Sequence, residues 1–173
     1  LAEQDRALRV RRVEDRPEDE IVDMLKTEFG DRIIFNHRFR GDRTIVVKRE
    51  AVVDIIRKLK EDPELDFNCL MDLTCVDYLY YPDHEGPRFA VVYHLKSISR
   101  NTRLRIKVPV EEKDTWAPTL TSLYEAANWF EREAAEFFGI TFRGHPDPRK
   151  LFLYDEFKGY PLRKDYPHNK RQP

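Results

Sequence analysis

The chain of 173 residues sets 31 Lys and Arg against 32 Asp and Glu, for a formal net charge of −1, and 36% of its residues are charged. No stretch approaches the roughly 20 apolar residues of a membrane-spanning helix, and eleven Phe, eight Tyr and two Trp exclude wholesale disorder. One domain of ordinary size fits this length, and the near-cancelled charge gives no long-range steering toward nucleic acid.

Residues 1–17 read as a charged N-terminal extension. They lack the apolar core of a signal peptide, which points to a cytosolic chain with a trimmed start. An α+β globular domain is expected over 18–142. Residues 18–29 predict a helix, with Pro17 ahead of it, Gly30 behind it, and Ile21, Leu25 and Phe29 four apart. Residues 31–37 and 43–48 flank Gly41-Asp42 as a hairpin. Val52, Ile55, Ile56 and Leu59 mark a second helix. Strands follow at about 67–80, 88–98 and 102–110. In the last, Leu104, Ile106, Val108 and Val110 alternate with Arg103, Arg105 and Lys107, so one face is buried and the other wet. This pattern predicts a mostly antiparallel sheet with helices packed on one face. Cys69 and Cys75 fall about 20 Å apart on one strand face, too far to pair with each other, and read as small buried thiols in a reducing compartment.

The last helix is delimited by a capping box of Ser122 and Glu125 and a C-terminal cap at Gly139. Leu123, Ala127, Phe130, Ala134, Phe137 and Phe138 share one face of it. Glu131 and Glu133 lie on opposite flanks of that stripe, and Arg132 is spaced to pair with Glu136. Residues 143–173 then form an extended, irregular tail. It holds eight Lys or Arg against four Asp or Glu, five prolines and five aromatics, too many prolines for a long helix and too many aromatics for a flexible linker. Such a segment is held against a surface, either its own domain or another protein, and the composition favours docking along a partner.

Chemistry is sparse. Six glycines form no phosphate-cradling loop, and His37, His84, His94, His145 and His168 share no metal-binding spacing. Glu131, Glu133 and His145 are the groups a free-standing enzyme would use. Glu131 and Glu133 point to opposite flanks, so salt bridges and partner contacts suit them better. His145, in Gly144-His145-Pro146-Asp147, reads as a rigid, partly buried histidine held by a carboxylate. A nucleic-acid adaptor working through the basic tail would show steep salt dependence.

Several blocks, in order, resemble a known family. Trp129-Phe130-Glu131-Arg132-Glu133, Glu136-Phe137-Phe138-Gly139-Ile140, Gly144-His145-Pro146-Asp147 with Arg149, and Gly159 through Tyr166 resemble the signature of the complex I thirty-kilodalton subunit family, the C subunit of bacterial NADH:quinone oxidoreductase. Asp72-Leu73, Asp77-Tyr78 and Phe89 through Tyr93 add to it, and the similarity covers about residues 65–167. The resemblance implies a non-redox structural subunit in the peripheral arm of a proton-translocating complex, without cofactor, metal or catalytic residue of its own. FMN, iron–sulfur clusters and quinone would belong to other subunits. The implied partners are the quinone-site subunit, which resembles a hydrogenase large subunit, and neighbouring iron–sulfur subunits, with no nucleic acid. Membrane association would come only through the complex, on the cytoplasmic side of the inner membrane or the matrix side in a mitochondrion. Related F420H2-, ferredoxin- and hydrogenase-type complexes carry equivalent scaffold subunits. Glu131, Arg132, Glu133 and His145 are expected to set the helix-to-tail junction, and Arg149, Arg163, Lys164, Asp165 and Tyr166 to make partner contacts.

Overall fold

A computed structural model describes residues 17–169 and 171. The extension expected before Pro17 lies outside the described residues, and Pro17 itself opens the first helix. In chain order the elements are α1 (Pro17–Phe29), β1 (Ile33–Phe39), β2 (Asp42–Val47), α2 (Val52–Glu61), β3 (Cys69–Asp77), β4 (Phe89–Ser97), β5 (Thr102–Val110), β6 (Trp116–Pro118), α3 (Ala127–Phe138) and β7 (Thr141–Arg143). The main sheet runs β1-β2-β5-β4-β3, and β6 pairs with β7 in a separate two-stranded ladder. The fold is α+β, with helices on one face of a mostly antiparallel sheet.

The hairpin between β1 and β2 turns at Arg40 and Gly41, one residue earlier than expected. Both have positive φ, 51° and 92°, the pair of left-handed residues that a two-residue turn needs to match strand twist. The exception to antiparallel pairing is β2 with β5, which run parallel with Ile45 opposite Ile106. Parallel neighbours require a crossover, and α2, β3 and β4 fill it. On α2, Val52, Ile55, Ile56 and Leu59 are all buried, as their spacing predicts. They pack with Ile45, Val47, Leu104, Ile106 and Val108 into a single core that also takes Leu25 of α1 and Ala127, Ala134 and Phe138 of α3.

Two local expectations fail for identifiable reasons. A β-bulge between Leu70 and Asp72 shifts the register against β4. The added residue reverses the inside–outside alternation, so Cys75 is buried on the core face with Leu73 while Cys69 is only half-buried. The two free thiols therefore do not share a face, and burial raises the Cys75 thiol far above its ordinary value. The capping box does not form either. The helix begins at Ala127 with Ala126 as an uncapped N-terminus, because Leu123 and Tyr124 already close a turn onto the Leu120 carbonyl. The other end follows expectation: Gly139 adopts φ 72° and donates its N–H to the Ala135 carbonyl.

The β6–β7 ladder, which the sequence pattern did not indicate, ties together the chain before and after α3. Trp116 lies opposite Thr141, and its ring sits beneath the guanidinium groups of Arg143, at 3.6 Å, and Arg49, at 4.0 Å. This clip fixes where α3 leaves the domain and hence where the tail begins.

Candidate functional site: the helix-to-tail junction

The tail has almost no regular structure after Arg143, so its backbone groups need partners from elsewhere. Two side chains supply many of them. Glu136 of α3, which is buried, accepts the N–H groups of Leu151, Phe152 and Leu153 at 2.9, 2.7 and 3.3 Å. Lys150 Nζ donates to the carbonyls of Tyr154, Asp155 and Phe157 at 2.8–3.1 Å. One carboxylate and one ammonium thus hold an irregular segment as a ladder would hold a strand. The Arg132–Glu136 pair expected from helical spacing does not form. Arg132 turns to the tail instead, donating to the carbonyls of Arg149 and Lys150 at 2.8 and 3.1 Å and covering the Trp129 ring. Charge-assisted bonds to three tail N–H groups outcompete a pairing along the helix surface, which contributes only about 0.5 kcal/mol.

Glu131 is the most unusual of these groups. Its side chain is completely buried and accepts from the Leu120 N–H at 2.6 Å and the Thr119 hydroxyl at 2.5 Å. No cation faces it within ion-pair distance among the described residues. Burial therefore pushes its carboxyl up to about 7, against the smaller opposing effect of the two donors. Glu133, two residues on, faces solvent. The two glutamates play unlike parts: one anchors the 119–121 turn against α3, and the other is surface.

His145 is held by backbone and not by the expected carboxylate. Its Nδ1 accepts the Asp147 N–H at 3.0 Å and its Nε2 lies 3.1 Å from the Asn128 carbonyl, so the tautomer with the proton on Nε2 satisfies both ends. The Asp147 carboxylate goes instead to Arg149, with both contacts at 2.7 Å, and the Arg149 guanidinium holds it well below the usual carboxylate range.

Further along, the tail is bolted to the sheet. Leu162 donates its N–H to the Phe137 carbonyl at 3.1 Å, and Arg163 Nε reaches the Phe138 carbonyl at 2.6 Å. The Arg163 guanidinium lies between the rings of Phe89 and Tyr160, at 4.9 and 4.4 Å. Gly139 is needed twice here, because a Cβ would also come within 2.6 Å of Arg163 and Tyr160. Beside this contact, Arg88 grips Asp77 in a fork at 3.0 and 2.9 Å, Asp165 at 2.8 and 3.1 Å, and Glu112 at 2.5 Å. The Asp77 side chain is fully buried and also accepts the N–H groups of Leu79 and Lys164. Burial opposes its charge, but Arg88 and the two N–H donors outweigh that and lower its carboxyl below the ordinary value. Tyr166 stacks on Phe157 at 6.1 Å.

The structure therefore gathers eight of the nine residues singled out from sequence into one junction, with Glu133 at its surface. Within this chain, Arg149, Arg163, Lys164, Asp165 and Tyr166 all bond to or stack on its own groups. Arg88, Asp77, Glu136 and Lys150 were missed as junction residues, although Asp77 stands in one of the blocks that resemble the family and Glu136 in another. Phe152, Tyr154, Tyr160 and Leu162 remain exposed on the outside of the tail, as does Trp129 on α3. Among the described residues no group of three His, Cys, Asp or Glu is placed to hold a metal, and no helix is long and apolar enough to cross a membrane.

Comparison with known proteins gives the family. The family described as respiratory-chain NADH dehydrogenase, 30 Kd subunit, matches residues 45–172, a longer stretch than the motifs alone suggested. The C subunit of the NADH-quinone oxidoreductase of Geotalea uraniireducens (strain Rf4) is 44% identical over 143 residues, covering 83% of this chain and 84% of the relative. That of Roseiflexus sp. (strain RS-1) is 42% identical over 147 residues, covering 85% and 82%. Among solved structures, a trypsin-resistant fragment (1–134) of Nqo5 superposes with a TM-score of 0.65 at 33% identity, covering 75% of this chain and 97% of the fragment. A chain of the membrane-bound sulfane sulfur reductase, an archaeal respiratory membrane complex, superposes with a TM-score of 0.69 at 26% identity, covering 89% and 88%. The chain belongs to the respiratory-chain NADH dehydrogenase 30 kDa subunit family.

Proposed function

We propose that this chain is a non-redox structural subunit in the peripheral arm of an NADH:quinone oxidoreductase, where the domain and its tail hold the quinone-site and iron–sulfur subunits in register. The observation that carries this reading is the junction itself. Buried Glu136, Lys150, Arg132 and the Arg88 cluster hold an irregular tail against the domain, while Phe152, Tyr154, Tyr160 and Leu162 stay exposed along it. Pre-organised apolar and aromatic anchors favour association because little side-chain and backbone entropy is then lost on docking. Electron tunnelling and quinone entry depend on geometry, so a rigid supporting part affects turnover without performing chemistry. In this reading the chain itself contributes no catalytic group, and the flavin, the clusters and the quinone sit on its neighbours.

Glu131 does not favour the free-standing enzyme reading. Its carboxylate is enclosed and both its oxygens are engaged by Thr119 and Leu120, leaving no face for a substrate. A second scaffold reading does draw on an observation: the likeness to a chain of the sulfane sulfur reductase supports an equivalent role in a related membrane complex with another electron donor. A pull-down of the tagged chain from native membranes, with the partners identified, tests both. Recovery of a flavin subunit, iron–sulfur subunits and the quinone-site subunit is the expected result. Recovery of a hydrogenase-type or sulfur-reducing set would move the assignment to the second reading, and recovery of the chain alone would overturn both.

A further inference from the structure

A second surface lies on the face of the sheet that bears no helix. There Phe35, His37 and Phe39 alternate along β1, and β1 is an edge strand, paired only with β2 among the described residues. Phe35 and Phe39 are 53% and 61% exposed, unusual for aromatics on an unprotected edge. Across the face, the loop between β3 and β4 raises a second aromatic wall, in which the Tyr78 ring stacks on His84 at 4.2 Å. The first wall is the Phe35–His37 pair, stacked at 5.8 Å. Between the walls is a slot of about 430 Å³, floored by Val46, Ala90 and Pro109.

Three features give this slot a direction in its chemistry. Its walls and floor are largely aromatic and apolar, suited to a side chain of the same kind. The His37 Nδ1 is buried without a hydrogen-bond partner among the described residues, a polar atom able to accept or donate according to its tautomer. On the rim, Asp83 and Glu85 line the opening, and no cation pairs with either carboxylate among the described residues. The one ammonium in the slot, Lys107, donates to the Tyr78 hydroxyl at 3.1 Å. An apolar slot with an acidic rim complements a segment that combines an apolar side chain with a positive charge.

We infer that this slot docks an extended segment of another subunit, which seats an apolar or aromatic side chain between the Phe35–His37 and Tyr78–His84 walls and brings a Lys or Arg to Asp83 and Glu85. The inference rests on the reading of this chain as a subunit of a larger complex, and it adds a contact made by residues outside the tail. Two attachment points also constrain orientation, which a single docked tail cannot.

The test places the photo-crosslinker p-benzoylphenylalanine in place of Phe35 in the full chain, within the assembled complex in native membranes, with a parallel chain carrying it in place of Tyr154. The expected result at position 35 is a cross-link to an extended stretch of another subunit, with a Lys or Arg within three residues of the linked position. Its yield should fall roughly tenfold when Asp83→Lys and Glu85→Lys are added. No cross-link, a cross-link only within this chain, a linked segment without a basic residue, or a yield indifferent to the charge reversal would each overturn the inference. Cross-linking at position 154 without cross-linking at position 35 defeats this inference alone, whereas silence at both positions defeats the subunit reading as well.

Discussion

Replacing Glu131 by Gln should flatten the pH dependence of stability that this one carboxyl imposes. The side chain is fully buried, and its carboxyl is raised from 4.5 to about 7 in the folded chain. A raised folded-state value means that the native state holds the proton more tightly than the unfolded chain. The stability linked to that proton is complete below pH 4.5 and is lost as pH rises through 7. A difference of about 2.5 pH units at 1.36 kcal/mol each gives about 3 kcal/mol, which in a domain of this size is on the order of 10 °C in Tm. Gln keeps the shape and an acceptor for the Leu120 N–H, and its amide meets the Thr119 hydroxyl as a donor. Urea unfolding of both proteins at pH 5 and pH 8 should show wild type losing about 2.5 kcal/mol relative to Glu131→Gln over that interval, the remainder lying outside it. Parallel profiles, with a constant difference between the two proteins, would refute the claim that burial without a cation governs Glu131.

Arg88→Met should cost about 3 kcal/mol, since it strips a buried carboxylate of its cation and leaves Asp77 only two N–H donors. Limited trypsin digestion should then cut at Arg163 and Lys164 faster than in wild type, and unchanged cleavage would show that Arg88 does not hold the tail. Gly139→Ala should lower stability by about 1–2 kcal/mol from its left-handed backbone alone. It should also raise the mobility of Tyr160 and Arg163, measurable as amide exchange at residues 160–166, because the added methyl takes their space. Salt at 1 M should weaken the exposed Asp147–Arg149 pair while leaving the Arg88–Asp77 fork largely intact, since screening acts mainly on exposed charges. Tail proteolysis rising steeply with salt would contradict that ranking.

Much of the fold was legible in the residues because the periodicities are clean. Val52, Ile55, Ile56 and Leu59 can only be one face of a helix, and the alternation through Leu104, Ile106, Val108 and Val110 leaves no doubt about a half-buried strand. What escaped depends on contacts distant in sequence. The parallel neighbour relation of β2 and β5 follows from the crossover, and no local pattern encodes it. The bulge after Leu70 inserts one residue without a Gly or Pro to announce it, and so reversed the expected side of Cys69. At the junction, Arg132 and His145 do meet the start of the tail, whereas Glu133 faces solvent. The bonding there was not legible, because Glu136 and Lys150 serve backbone groups of a tail that carries no periodicity of its own. Helical spacing offered Arg132 and Glu136 to each other, and tertiary contact gave each a better partner.

On the proposed reading, the exposed apolar side chains of the tail are anchors for other subunits. Phe152 and Leu162 are both fixed beside Phe137, one by ring stacking at 5.9 Å and the other through its backbone N–H, and both side chains are at least half exposed. The most direct measurement is a native gel of membranes whose chain carries Phe152→Ser and Leu162→Ser, read together with the Tm of the same purified variant. A Tm within about 3 °C of wild type with incorporation into the complex reduced at least about tenfold is the predicted result. Full incorporation of the folded variant would show that these side chains are not anchors.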